Sequence, residues 1–140
     1  MSRRKRYTRN FGRDLPSPSP VRTTVEWVRF EHRYEPYGVF SYMSDARREL
    51  RGESLAELAH LRDWFNDHLG APEDATQERF WFRSEAVEHI VKAQRMSELM
   101  RDAGIPMVER RTRRVPGKIK WEDLHQVAVF TYRDAPRPSR

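Results

Sequence analysis

The charge of this chain is divided into three regions, and that division limits which residues can fold into a core. Of its 140 residues, the first 23 carry seven basic side chains, one acidic side chain and few apolar ones. Residues 24–105 carry a net charge of −5, and residues 106–140 a net charge of +5. A segment with so little apolar surface cannot offset the entropy lost on folding. We therefore expect a disordered basic arm and Pro/Ser linker over 1–22, one domain over 23–133 and a frayed tail over 134–140.

Several classes of function are disfavoured by what the sequence lacks. The chain has no Cys, which excludes disulfides, thiolate zinc sites and cysteine nucleophiles. It contains no HExxH pair, no phosphate-binding glycine loop and no GxSxG elbow. We predict no cofactor and no metal site, and enzyme activity is disfavoured but stays open. No apolar run is long enough to span a membrane, and the basic start lacks an apolar stretch behind it. We expect a cytoplasmic protein, with an organelle targeting peptide as the alternative for the arm.

Two long helices are predicted from apolar residues at helical spacing. Residues 54–69 begin with Ser54-Leu55-Ala56-Glu57, the pattern of a capping box, and end before Gly70 and Pro72. Residues 85–103 end at Gly104-Ile105-Pro106, which stops a helix. A shorter helical piece is expected from Ser44 to Gly52.

Strand patterns fill most of the remaining chain. Residues 23–30 and 39–43 flank the turn Glu35-Pro36-Tyr37-Gly38 and are expected to form a hairpin. Residues 79–83, 107–112, 118–121 and 126–132 are the other predicted strands, and the helix between the first two of these favours a right-handed βαβ unit. The fold class is therefore α+β, a two-layer sandwich with two helices packed on one face of a mixed β-sheet.

A basic hairpin is the first candidate binding site. Residues 110–120 contain six cations and no acid around Val115-Pro116-Gly117, which has the composition of a turn. Guanidinium groups bind phosphate with two parallel hydrogen bonds, so a basic ribbon suits nucleic acid. The alternative is an edge hairpin that charge keeps from pairing with other strands. The predicted contacts are Arg110, Arg111, Arg113, Arg114, Lys118 and Lys120.

The N-terminal arm is the second candidate. It mixes cations with two aromatic rings that can stack on bases. Its predicted nucleic-acid contacts are Arg3, Arg4, Lys5, Arg6, Tyr7, Arg9, Phe11 and Arg13. Together the arm and the hairpin predict a small protein that binds phosphates of nucleic acid, with RNA or a ribonucleoprotein favoured.

Two other functions remain open. The acidic helix 54–69, which carries Trp64, could dock on a protein partner, as in an adaptor, an inhibitor or a phage-type accessory protein. A weak metal-dependent hydrolase is the third possibility. His89 with Glu122 and Asp123 forms its possible secondary site, because an imidazole and paired carboxylates can exchange protons.

Short motifs between Leu61 and Val129 resemble a group of short bacterial proteins of unknown function. The matching motifs are Trp64-Phe65-Asn66, Trp81-Phe82, Glu88-His89-Ile90, Pro116-Gly117, Trp121-Glu122-Asp123 and Gln126-Val127. The resemblance implies that two helices and three strands form the common body and that the basic arm is an addition. It also implies a shared site near the hairpin at His89, Glu122 and Asp123.

Overall fold

The computed structural model describes residues 26–71 and 78–130. Within them lie five strands, three α-helices and one short 3-10 helix. The strands are β1 (Trp27–His32), β2 (Arg79–Arg83), β3 (Met107–Thr112), β4 (Lys118–Glu122) and β5 (Gln126–Phe130). The helices are α1 (Met43–Glu49), α2 (Gly52–His68) and α3 (Val87–Asp102), and the 3-10 helix spans Val39–Tyr42.

The five strands form one sheet in the order β3-β1-β2-β5-β4. Every adjacent pair is antiparallel, so the α+β class is confirmed, but the sheet is not mixed. The two strands of the predicted βαβ unit are not adjacent in the sheet. Strands β2 and β3 run in the same direction, but β1 lies between them and is antiparallel to both.

The three helices cover one face of the sheet. Helix α3 contributes a stripe at intervals of three and four residues, which ends in Met96, Leu99 and Met100, all fully buried. These side chains pack in one cluster with Leu58 of α2 and Val28 of β1. The predicted apolar spacing therefore matches the observed core of the helix layer.

The two ends of the long helices show where sequence signals succeed and fail. Gly104, with a φ of 87°, ends α3, because glycine adopts this left-handed conformation without strain. The amide of Ile105 donates to Met100 O, which closes the helix in the manner of a Schellman motif. The capping box predicted at Ser54 does not form, because α2 begins two residues earlier behind Arg51, without a side-chain cap.

The predicted first hairpin is wrong. Residues 39–43 form the 3-10 helix and the start of α1 instead of a strand. Strand β1 already pairs with β3 along its whole length and with β2 at its start, so only the Glu31–Gly38 bridge remains for the returning chain. The chain then turns, and Ser41 N donates to Gly38 O at 3.0 Å.

The predicted basic hairpin is also wrong, because β3 and β4 lie at opposite edges of the sheet. Thr112 pairs with Trp27 at one end of the sheet, whereas Lys118 pairs with Phe130 at the other end. On a flat sheet those two corners would be about 25 Å apart, because they are separated by four strand spacings across the sheet and by five residues along the strand direction. Six steps of extended chain reach only about 22 Å. The sheet must therefore coil to bring the corners together, as twisted sheets do.

Residues 113–117 connect Thr112 at the end of β3 to Lys118 at the start of β4, and these strands form opposite edges of the sheet. On the sheet face opposite the helices, Trp27, Val127 and Val129 are buried, with Trp81 packed against them. Gly117 lies against the same face, so that a Cβ built on it would be 3.1 Å from Val129 Cγ2. We call residues 113–117 the diagonal connection.

Candidate functional site

The cations predicted on the hairpin divide into two groups in the structure. Arg110 and Arg111 lie on the edge strand β3, and both are held by carboxylates. Arg110 Nε is 3.1 Å from Glu31 Oε2, and Arg111 Nη1 is 3.1 Å from Glu26 Oε1. Arg111 Nε also donates to Glu109. These ion pairs reduce the positive potential of the β3 edge.

The Glu109 and Arg111 pair is strengthened by its hydrogen bonds. The hydrogen bond to Glu109 raises the pKa of Arg111. Partial burial works against the charged form of Glu109, but hydrogen bonds from Arg111 and Gln94 outweigh it and lower the pKa of this carboxyl. Both groups therefore stay charged near neutral pH, and Arg111 is not a strong candidate for phosphate.

The second group lies along the diagonal connection and at its end. Arg113 is 77% exposed and its Nε is 4.0 Å from Glu26 Oε2, a weak ion pair. Arg114 and Lys118 are exposed and have no carboxylate partner among the residues that the structure describes. Lys120 differs, because its Nζ is 2.9 Å from Glu78 Oε2 and 5.7 Å from the centre of the Phe130 ring. Arg113, Arg114 and Lys118 are therefore the cations most available to a ligand.

Glu26 lies at the corner of the sheet where β1 begins and β3 ends. Its carboxylate contacts Arg111 and Arg113, and its backbone amide N–H donates to Ser84 Oγ at 3.3 Å. Glu26 directly precedes β1, so the preceding residues of the chain connect to the fold beside the start of the diagonal connection. The arm residues from Arg3 to Arg13 lie outside the described part of the chain.

The possible secondary site at His89 is built around stacked rings. His89 is buried, and its ring stacks on that of His125 with centroids 4.2 Å apart. His89 Nε2 lies 3.1 Å from His68 O. Neither Glu122 nor Asp123 hydrogen-bonds to the His89 ring.

Glu122 and Asp123 have other partners. Glu122 Oε1 accepts from Arg83 Nη2 at 2.5 Å. Asp123 Oδ1 accepts from the amides of His125 and Gln126, as the side chain of a turn does. Within residues 26–71 and 78–130, no group of three His, Asp or Glu side chains could hold a metal ion. Glu122 and Asp123 therefore stabilise the local structure, and their contacts do not form a hydrolytic site with His89.

The acidic helix, predicted as an alternative docking surface, is engaged within the molecule at Glu57 and Trp64. Glu57 accepts two hydrogen bonds from Arg95 of α3, and hydrogen bonding with Arg95 is the main reason that the pKa of Glu57 is lowered. Trp64 is half-buried, stacks on His68 at 4.3 Å and carries Lys92 over its ring. Trp64 thus packs against its own fold.

A buried arginine in β1 was not predicted from the sequence. Arg29 is 6% exposed and lies in the wall of a cavity of about 830 Å³. The available signal was a charged residue inside the apolar run Trp27-Val28-Arg29-Phe30, with Glu31 two residues later on the same face of the strand. Such a pair is easily taken for a surface ion pair, because nothing in the sequence shows that this side of the sheet is covered.

Comparisons with protein-family models, with curated proteins and with solved structures give no match for this chain. The resemblance to short bacterial proteins therefore stays a prediction. None of the helices in the described part of the chain is long and apolar enough to cross a membrane.

Proposed function

We propose that this protein binds nucleic acid, RNA in particular, mainly through phosphate contacts. The contacts are made by the basic arm and by Arg113, Arg114 and Lys118. The observation that carries the proposal is the position of Glu26, which lies at the corner of the sheet where the diagonal connection begins. The arm, with seven cations in residues 1–23, precedes Glu26 in the chain.

The surface formed by Arg113, Arg114 and Lys118 suits a polyanion. Its three cations are exposed, and at most one of them has a weak carboxylate partner in the described residues. Tyr7 and Phe11 add rings to the arm that can stack on unpaired bases, which favours single-stranded RNA. Phosphate contacts supply affinity and position but no sequence readout. The expected partner is therefore an RNA with unpaired bases, alone or within a ribonucleoprotein.

The test is fluorescence anisotropy of the full chain with labelled single-stranded RNA, duplex RNA and duplex DNA over a range of salt concentrations. Each phosphate contact contributes about 0.7 to 0.9 to the slope of log affinity against log salt. Changing Arg113, Arg114 and Lys118 to Gln should weaken binding and lower that slope by about 2. Changing Arg3, Arg4, Lys5 and Arg6 to Gln should have a similar or larger effect.

A matched control changes Arg47, Arg48 and Arg62 to Gln. These three cations lie in the helix layer, around a groove between α1 and α2, so the control removes the same charge from a different surface. Binding of the control should stay close to that of the natural protein. An equal loss in both triple variants would mean that only net charge matters, and no binding at low salt would rule the proposal out.

A further inference from the structure

The sheet opens between β1 and β2, and a cavity fills the gap. The two strands pair only at Trp27 with Arg83 and at Val28 with Phe82. Beyond that point the Arg29 side chain bridges the gap in place of backbone pairing. Its Nη1 donates to Phe80 O at 3.0 Å, and its Nη2 donates to Pro36 O at 3.1 Å. The cavity of about 830 Å³ lies against this bridge.

The guanidinium of Arg29 retains hydrogen-bonding capacity. Arginine has five N–H donors. Three of them are used in the described part of the chain, since Nε donates to Glu31 Oε1 at 2.7 Å in addition to the two carbonyl bonds. The two remaining N–H groups are both on the Nη atoms. Those atoms face Gly38, which lines the cavity, because a Cβ on Gly38 would be 3.4 Å from Nη2 and 3.5 Å from Nη1.

Charged side chains of both signs surround the bridge. Burial lowers the pKa of Arg29, but the bond to Glu31 opposes that shift and the group stays cationic. Glu31 is shared between Arg29 and Arg110, and Glu78 is bound by Lys120. Arg79 also lies in the cavity wall.

Much of the remaining cavity wall is aromatic and apolar, although Ser41, Asn66 and Gln126 also line it. Phe65 of α2 meets Phe40 edge-on, with centroids 4.9 Å apart, and Phe82 of β2 lies 6.3 Å from Phe65. Phe80 and Leu69 complete this wall. A cavity of several hundred cubic ångströms, mostly apolar with a few fixed polar groups, is the usual form of a small-molecule site.

We propose that this cavity binds a planar aromatic carboxylate, whose two oxygens accept the free N–H groups of Arg29 while its ring lies among Phe40, Phe65 and Phe80. A guanidinium presents parallel donors that match a carboxylate. A single negative charge suits the site, because Glu31 and Glu78 lie close to the cations and would repel a dianion. This site is separate from the phosphate-binding surface and does not depend on nucleic acid.

The test compares two probes of the same shape, 2-naphthoate and the neutral 2-naphthamide, by isothermal titration and ligand-observed NMR with the full chain. A hydrogen bond to a charged group is stronger than one to a neutral group, so 2-naphthoate should bind about tenfold more tightly than 2-naphthamide or better. Equal affinity for the two probes would overturn the role of Arg29. No binding of either probe at millimolar concentration would overturn the site itself.

Variants place the bound probe in the cavity. Gly38 has an extended backbone that any residue adopts, so Gly38→Val should fold and put a methyl group against the Arg29 Nη atoms. It should weaken 2-naphthoate at least about fivefold, a loss near 1 kcal/mol. Val87→Ala removes an exposed apolar side chain outside the cavity and should change nothing. A loss in Val87→Ala as large as that in Gly38→Val would show that the probe binds exposed apolar surface instead.

Discussion

Gly117 is the residue on which the diagonal connection depends most directly. It is buried, and a Cβ built on it would lie 2.1 Å from Phe130 O, far inside van der Waals contact. That oxygen is backbone in β5 and cannot move without disturbing the β4–β5 pairing. We expect Gly117→Ala to lower the free energy of unfolding by about 1 to 3 kcal/mol, the usual range for overpacking. Urea denaturation followed by circular dichroism measures the change.

Gly70→Ala is the control for this prediction. The nearest atoms to a Cβ on Gly70 are Asp123 Oδ2 at 3.6 Å and Trp121 at 3.9 Å, which is ordinary contact. The stability of this variant should stay within about 0.5 kcal/mol of the natural protein, as for most surface changes. If the two alanine variants lost stability equally, close approach at Gly117 would not be the cause.

Helix α3 shows how an element tolerates one residue that does not suit its surroundings. Its buried stripe is apolar apart from His89 and Ser97, and Ser97 is 2% exposed. The Ser97 hydroxyl has no hydrogen-bond partner in the part of the chain that the structure describes. A buried unsatisfied hydroxyl is unfavourable, and alanine is a better helix former than serine. Ser97→Ala should therefore raise the free energy of unfolding by about 1 kcal/mol, measured by urea denaturation.

Ser54→Ala in α2 separates helix propensity from burial. Ser54 is half-buried and its hydroxyl does not cap the helix. This variant should gain only about 0.4 kcal/mol, the difference in intrinsic helix propensity. A Ser97→Ala protein no more stable than the natural one would mean that the hydroxyl is satisfied in solution.

The coiling of the whole sheet depends on the length of the diagonal connection. Its six Cα steps from Thr112 to Lys118 reach about 22 Å, close to the span that they must cover. Deleting Arg114 should pull β4 out of register with β5 and cost about 3 kcal/mol, at the upper end of single changes. Chemical denaturation measures the loss, and amide hydrogen exchange in β4 locates it.

Inserting one glycine after Arg114 is the matching control. An extra residue relaxes a taut connection, and the entropy of a slightly longer loop costs only a few tenths of a kcal/mol, about 0.6 for a doubling. In a tight hairpin between β3 and β4 the deletion would not stretch the chain, so deletion and insertion would not differ in this way. If deletion and insertion were equally harmless, the diagonal path would be wrong.

Local patterns were sufficient for most of the helices and strands. Strands β2 and β3 have the predicted bounds, and the long helices begin and end within a few residues of their predicted limits. These features follow from residues close in sequence, such as the apolar spacing that ends in Leu99 and the left-handed Gly104 that ends α3. The division of charge between the ends and the middle of the chain is likewise a property of the sequence alone.

Strand pairing and the environment of Arg29 were decided only by the tertiary structure. Residues 107–112 and 118–121 look like a hairpin locally, but in the sheet β3 pairs with β1 and β4 pairs with β5. Arg29 looks like a surface residue until the loop at Pro36 and the β2 backbone enclose it. Helical spacing and glycine conformation act over a few residues, so a sequence specifies them directly. Edge competition and burial depend on segments far apart in the chain, which meet only in the folded molecule.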